Sequence, residues 1–235
     1  MQTQKFIKKE AIKFGWVTTK ANFWVLSGIV LLTTIVPAIP QVFSDLLQKD
    51  YLIWSFVLYL AYLILYIIAR VGLIKIMLGF ASGEKSGLSN LFSNFKTYLK
   101  YLGGSILYGI IVAGIPMLFL VLGTIFEKDI FIAVAIISAI PCVVWAIKFQ
   151  FFSYLIIDKG MGIKDSLKKS AEMTKGLKWD LFLFSLLLIV INLAGVLCLI
   201  LGLFATIPVT LIATAFVYKK LLAQTKDTPV AIEAI

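Results

Sequence analysis

The sequence predicts an all-α polytopic membrane bundle of six transmembrane helices, and three observations predict it. Hydrophobic residues make up 61% of the chain and charged residues 14%, with a mean hydropathy of +1.01; soluble domains run at roughly 45–50% and about 25%. A soluble fold this apolar would expose large greasy patches and aggregate. Second, the apolar residues fall into six runs of spanning length, about 20 residues for a hydrocarbon core of about 30 Å. Third, the basic residues change sides in phase with those runs, which the positive-inside rule expects of helical spans.

Taken in order, the first run is Phe23 to Val42, interrupted by Pro37 and Pro40. Its full length marks a retained span, since a cleaved signal has an apolar core of about 7–15 residues. The second runs from Leu52 to Phe80, the third from Leu102 to Phe126 around Pro116, and the fourth from Ile130 to Ile157 around Pro141. The fifth is Leu181 to Leu201, and the sixth Phe204 to Val217, with Pro208 near its start. Stretches such as Ile110–Ile115 show no polar alternation, so the ten-residue strands of a membrane barrel are excluded. Proline is tolerated in such spans because neighbours re-satisfy the freed carbonyls.

Charge fixes the expected topology. One side takes Lys5, Lys8, Lys9, Lys13 and Lys20, then Arg70, Lys75, Lys85, Lys96 and Lys100. It also takes Lys148, Lys159, Lys164, Lys168, Lys169, Lys175 and Lys178, then Lys219, Lys220 and Lys226, making 20 of the 22 basic residues. Only Lys49 and Lys128 fall opposite, beside Asp45, Asp50, Glu127 and Asp129. An even span count with both termini cytoplasmic is the expectation. The net charge of +10 is therefore read as topology and not as a nucleic-acid surface, which would gather its lysines into one stripe.

Each segment ahead of an odd span reads as an amphipathic helix lying at the cytoplasmic interface. The first sets Ile7, Ala11 and Phe14 against Lys5, Lys8, Lys9 and Lys13. The second sets Leu88, Leu91, Phe92, Phe95, Tyr98, Leu99 and Leu102 against Ser89, Asn90, Ser93, Lys96 and Lys100. The third sets Ile163, Leu167, Ala171 and Thr174 against Lys164, Lys168, Lys169, Glu172 and Lys175. Pro37 and Pro116 fall at matching depths in spans one and three, as do Arg70 and Lys148 in spans two and four. These matches predict a threefold repeat, 1–81, 82–160 and 161–226, within a single membrane domain that ends in a short cytoplasmic tail, 227–235. Shared bilayer constraints produce some of the same regularity.

Candidate chemistry is sparse. The chain has no histidine, which removes His-based acid–base catalysis, Ser-His triads and most zinc sites. Cys142 and Cys198 both lie in apolar runs and read as buried thiols, not a disulfide framework. No phosphate-binding GxxxxGK[ST] occurs, and no Asp or Glu falls in the middle of a span, where ion-coupled transporters place carboxylates. No catalytic residue, cofactor or metal is expected, and the chain does not read as an enzyme. Arg70 and Lys148 each lie about 27 Å from the outer end of their span at 1.5 Å per residue. At that depth two readings stay open: snorkelling anchors, or a basic pocket for a lipid phosphate, with Lys75, Gln150 and Tyr154 nearby. The candidate anionic-lipid contacts are Arg70, Lys75, Lys148 and Gln150. Asn192 is the best mid-span polar group and reads first as a helix–helix hydrogen bond; Gly195 and Gly202 read as packing.

The stretch Ile157-Asp158-Lys159-Gly160, then Ser166-Leu167, Ser170, Thr174, Gly176 and Trp179, forms a pattern with Leu201-Gly202-Leu203, Ile207-Pro208 and Tyr218-Lys219. With Phe14-Gly15-Trp16 ahead of the first span, it resembles the bacterial and archaeal glycerophosphoryl diester phosphodiesterase membrane domain family and related six-span proteins. That resemblance implies a prokaryotic cell membrane. It implies no activity, because the paired acids and histidines of the soluble phosphodiesterase domain are absent from this sequence.

Together these readings predict a non-enzymatic membrane protein that organises lipid or partner proteins through basic interfacial helices. Its expected partners are anionic headgroups, a membrane protein or a second copy of itself, and no nucleic acid. The alternative is a transporter or channel for a lipid or small molecule, with a polar path through Asn192, Thr210 and Thr214.

Overall fold

The computed structural model describes residues 8–47, 52–83, 94–126, 129–198 and 201–226. Among them lie nine helices and no strand: α1 (Lys8–Ala21), α2 (Phe23–Leu47), α3 (Leu52–Ala81), α4 (Phe95–Phe126), α5 (Asp129–Phe149), α6 (Phe152–Lys159), α7 (Ile163–Met173), α8 (Lys178–Leu197) and α9 (Leu203–Lys226). Six helical segments are long and apolar enough to cross a bilayer, the fourth being α5 and α6 taken together. Helices α2 and α3, α4 and α5, and α8 and α9 pair as hairpins. Of the second amphipathic segment, Leu88 to Ser93 lie outside the described residues, as do Lys5, Ile7, Lys49, Lys85, Lys128 and the tail 227–235.

Burial divides the bundle into a packed layer and an open one. On α3 every residue from Val71 to Phe80 is buried except Lys75, whereas between Ile53 and Arg70 only Ser55 is. The fourth span repeats the division: residues 151–156 are all buried, while between Ile130 and Phe149 only Ala135, Cys142 and Ile147 are, among those described. Beyond Val30 on α2 and Gly104 on α4 the helices are also mostly open. The open stretch of α3, residues 53–69, is about 26 Å long at 1.5 Å per residue, close to the hydrocarbon thickness of a bilayer. Helices that expose Leu, Ile and Phe on most faces over that length are built for lipid.

The packed layer is organised around α9. Expected to end at Val217, this helix continues to Lys226, and more than half of its apolar window is buried against almost none of α4. It touches α1, α2, α3, α7 and α8, with Tyr218, Leu221, Ile212 and Ala213 fully enclosed. Helix α1 runs antiparallel along it, with Phe14 stacked on Phe216 at 4.6 Å and Lys220 reaching Glu10 at 2.6 Å, and on α2 Ser27 donates to the Phe204 carbonyl at 2.8 Å. The buried face of α1 is a row of small residues, Ala11, Gly15 and Thr19. A Cβ on Gly15 would stand 2.5 Å from the Val209 carbonyl oxygen. The apolar side of α1 therefore meets protein, where the sequence alone pointed it towards lipid.

The fourth span is broken, and not at its proline. Helices α2, α4, α5 and α9 all continue through their prolines, while the chain breaks at Gln150-Phe151, between α5 and α6. A break inside an apolar span orphans backbone groups that must find partners. Helix α7 supplies them. Ser170 donates to the Lys148 carbonyl at 3.0 Å and accepts from the Phe151 N–H at 3.2 Å, and the Thr174 hydroxyl stands 3.1 Å from the same carbonyl. Gly160, at φ +64°, then ends α6 in the left-handed region that glycine adopts without strain. Of the two cysteines, Cys142 is buried, but Cys198 is exposed at the turn that ends α8.

Candidate functional site

Arg70 and Gln150 both stand where the packed layer gives way to the open one. Between them is a cavity of about 280 Å³ enclosed by α3, α4, α6 and one turn of α9. Helix α3 contributes Arg70, Leu73, Ile74 and Met77, which share a face at helical spacing. Helix α4 contributes Tyr101, Ser105 and Tyr108 at i, i+4 and i+7, and the break before α6 presents Gln150, Ser153 and Tyr154. The walls thus combine apolar surface with a few convergent polar groups, the usual composition of a small-molecule site.

Arg70 is the sole arginine among 22 basic residues. Its electrostatic neighbours are the phenols of Tyr66, Tyr101 and Tyr154, with the guanidinium 6.0 Å from the centre of the Tyr66 ring. Among the described residues no carboxylate stands within ion-pair distance of it. Elsewhere in this layer Asp158 pairs with Lys219 at 2.9 Å and Lys159 at 3.1 Å, Asp180 with Lys8 at 2.8 Å, and Glu10 with Lys220 at 2.6 Å. The Nε2 of Gln150 is buried without a hydrogen-bond partner. A permanent cation and an idle amide donor thus face one cavity, and both are groups that donate to oxyanions.

The structure brings two of the four sequence candidates together and leaves two outside. Lys75 lies on a different face of α3 from Arg70 and does not line the cavity. Lys148 extends over the Phe149 ring at 5.0 Å, also off the lining, and it is the backbone carbonyl of Lys148 that does the structural work at the break. The polar stripe of α4 was not among the sequence candidates. Its spacing Tyr101, Ser105, Tyr108 was the available signal. The proposed polar path is internal to one hairpin: Asn192 donates to Thr210 at 3.3 Å, and Thr214 returns its hydroxyl to the Thr210 carbonyl at 2.8 Å. Gly195 and Gly202 bring the α8–α9 backbones together there, with the Thr206 hydroxyl filling the space of a Gly195 side chain.

Two groups of residues from the sequence pattern also meet. Asp158 accepts from Tyr218 at 3.0 Å and from Lys219 at 2.9 Å, joining α6 to α9. Lys100 donates to the Gly160 carbonyl at 2.6 Å and ties α4 to the same corner.

Six long apolar helical segments define the chain as a multi-pass integral membrane protein. Comparison with family models, with curated proteins and with solved structures gives no match.

Proposed function

We propose that the protein is a non-catalytic component of a prokaryotic cell membrane that binds anionic lipid headgroups in the Arg70 cavity and so organises lipid, or partners that lipid recruits, at the cytoplasmic face. The observation that carries this reading is the Arg70 guanidinium, bonded to the Tyr101 phenol and with no carboxylate beside it among the described residues, lining a cavity at the edge of the open layer. The Arg70 side chain is exposed at the lip of that cavity, where an anion can reach it, and its forked donors match the oxygens of a phosphate. Both termini are cytoplasmic in this reading, on the strength of the lysine distribution, and the open layer occupies the hydrocarbon. Exposed Lys9, Lys13, Lys164 and Lys168 then face the anionic leaflet, each contributing about 1 kcal/mol near the surface. The proposal includes a relationship to the glycerophosphoryl diester phosphodiesterase membrane domain family, supported by the placing of Gly15, Asp158, Ser170, Thr174 and Tyr218 of that pattern at contacts between helices.

Native mass spectrometry of gently extracted protein tests it. Anionic lipid should co-purify, be lost on Arg70→Leu and persist on Lys148→Leu. A wild-type protein that emerges bare overturns the reading and moves transport assays to the front.

A further inference from the structure

We propose, resting on the Arg70 cavity as a headgroup site, that its ligand is a whole phospholipid of the adjacent leaflet, which enters sideways from the bilayer and lays an acyl chain along a ladder of three tyrosines, Tyr66, Tyr62 and Tyr59. These residues and Arg70 follow i, i+3, i+7 and i+11 spacing and so share one face of α3. Their rings form a continuous row, with centroids 5.8 Å apart from Tyr59 to Tyr62 and 5.9 Å from Tyr62 to Tyr66, and the Arg70 guanidinium caps the row at 6.0 Å.

The same face of α3 changes character at Arg70. On one side Leu73, Ile74 and Met77 are buried and wall the cavity. On the other, Tyr66 is 41% and Tyr59 46% exposed. Arg70 thus lines the cavity at one end of this face, and the ladder, outside the cavity lining, continues from it into the open layer. From Arg70 to Tyr59 is 11 residues, about 16.5 Å along the helix. Half of a hydrocarbon core of about 30 Å is about 15 Å. A headgroup at Arg70 thus sets its chain against the ladder from end to end, and the chain stops where the ladder does.

The residue type supports an occupant. Tyrosine in spanning helices belongs at the two interfaces, and a phenol in mid-hydrocarbon loses the hydrogen bonds it makes with water. Leu or Ile, which fill the other exposed faces of α3 such as Ile53 and Ile64, would carry no such cost. Flat rings in a row offer a rigid surface that ordinary lipid-facing side chains do not, and aromatic faces gain attraction beyond their buried area. The phenols of Tyr66 and Tyr101 neighbour Arg70 and would meet the glycerol esters of a lipid whose phosphate it holds. A free phosphate needs the cavity alone; the ladder has a use only if the anion brings a chain.

The test uses the full chain in phosphatidylcholine nanodiscs, with native mass spectrometry reading bound phosphatidylglycerol. Three probes compete: the dioleoyl lipid, the dihexanoyl lipid below its micellar concentration, and inorganic phosphate. The expected result is a clear preference for the dioleoyl form, reduced about three- to tenfold by Tyr62→Ala with Tyr66→Ala. Ile64→Ala, a change at a more exposed position on another face of α3, should leave it intact. Equal binding of long and short chains, both lost on Arg70→Leu, would overturn the ladder and leave the headgroup site standing. Displacement by inorganic phosphate alone would do the same. An equal loss in the Ile64→Ala control would assign the effect to α3 as a whole and sink the ladder too. No phosphatidylglycerol bound by the wild type, and no change on Arg70→Leu, would remove both readings.

Discussion

A buried amide nitrogen without a partner costs about 1–3 kcal/mol, and Gln150 carries one beside Arg70. Gln150→Leu should therefore hold or raise the melting temperature of lipid-stripped protein while lowering retained anionic lipid. A purely structural glutamine would show both falling together. Gly15 makes the opposite kind of prediction. Because its missing side chain is the space the Val209 carbonyl occupies, Gly15→Ala should cost about 1–3 kcal/mol by overpacking. Gly28→Ala, with nothing within 4 Å, should be neutral or stabilise by up to about 1 kcal/mol. Thermal unfolding in detergent separates the two. Arg70 and Gln150 were legible in the sequence as polar residues deep in apolar runs. Tyr108 and Ser105 were not, because a polar stripe at the mouth of a span looks the same whether it meets headgroups or lines a cavity.

Among the elements, the six spans could be read from hydropathy, and the break in the fourth could not. The segment Lys148-Phe149-Gln150-Phe151-Phe152 contains neither glycine nor proline, so nothing local announces a helix end. What permits the break lies about twenty residues on, in Ser170 and Thr174 of α7. The five helix-interior prolines, by contrast, stood out in the sequence yet interrupt nothing among the described helices. Substituting Ser170→Ala together with Thr174→Val strips the Lys148 carbonyl and the Phe151 N–H of partners, which should destabilise the fold by about 1–3 kcal/mol per orphaned group. Either change alone should be milder at the carbonyl, since the other hydroxyl still reaches it. A double-mutant cycle on the unfolding midpoint measures that redundancy.

At the scale of the whole molecule, hydropathy misranks the spans. The sixth has the lowest mean hydropathy, 1.3 against 2.4 for the third and fifth, yet it is the hub of the packed layer. Hydropathy reports what a helix can offer to lipid; a helix enclosed by protein is released from that demand and can carry Ala, Thr and Tyr instead. Orientation is checked by labelling: in a Cys142→Ala, Cys198→Ser background, Lys168→Cys should react with a membrane-impermeant maleimide only after inner-face access is opened. Reaction in intact cells would reverse the topology.

The three hairpins are also of unequal reach. Helix α4 has 32 residues and α8 has 20, about 48 Å against about 30 Å, and α9 begins level with Ser27, leaving twenty residues of α2 to run on past it. A bilayer surrounding this protein meets a tall flank and a short one. Helix α8 alone matches a hydrocarbon core of about 30 Å, so the surplus of α4 has to tilt or stand out of it, and any mismatch costs fractions of a kcal/mol for each ångström. The two flanks therefore offer lipid unequal lengths of apolar helix, and the protein has a long side and a short side from which to be approached.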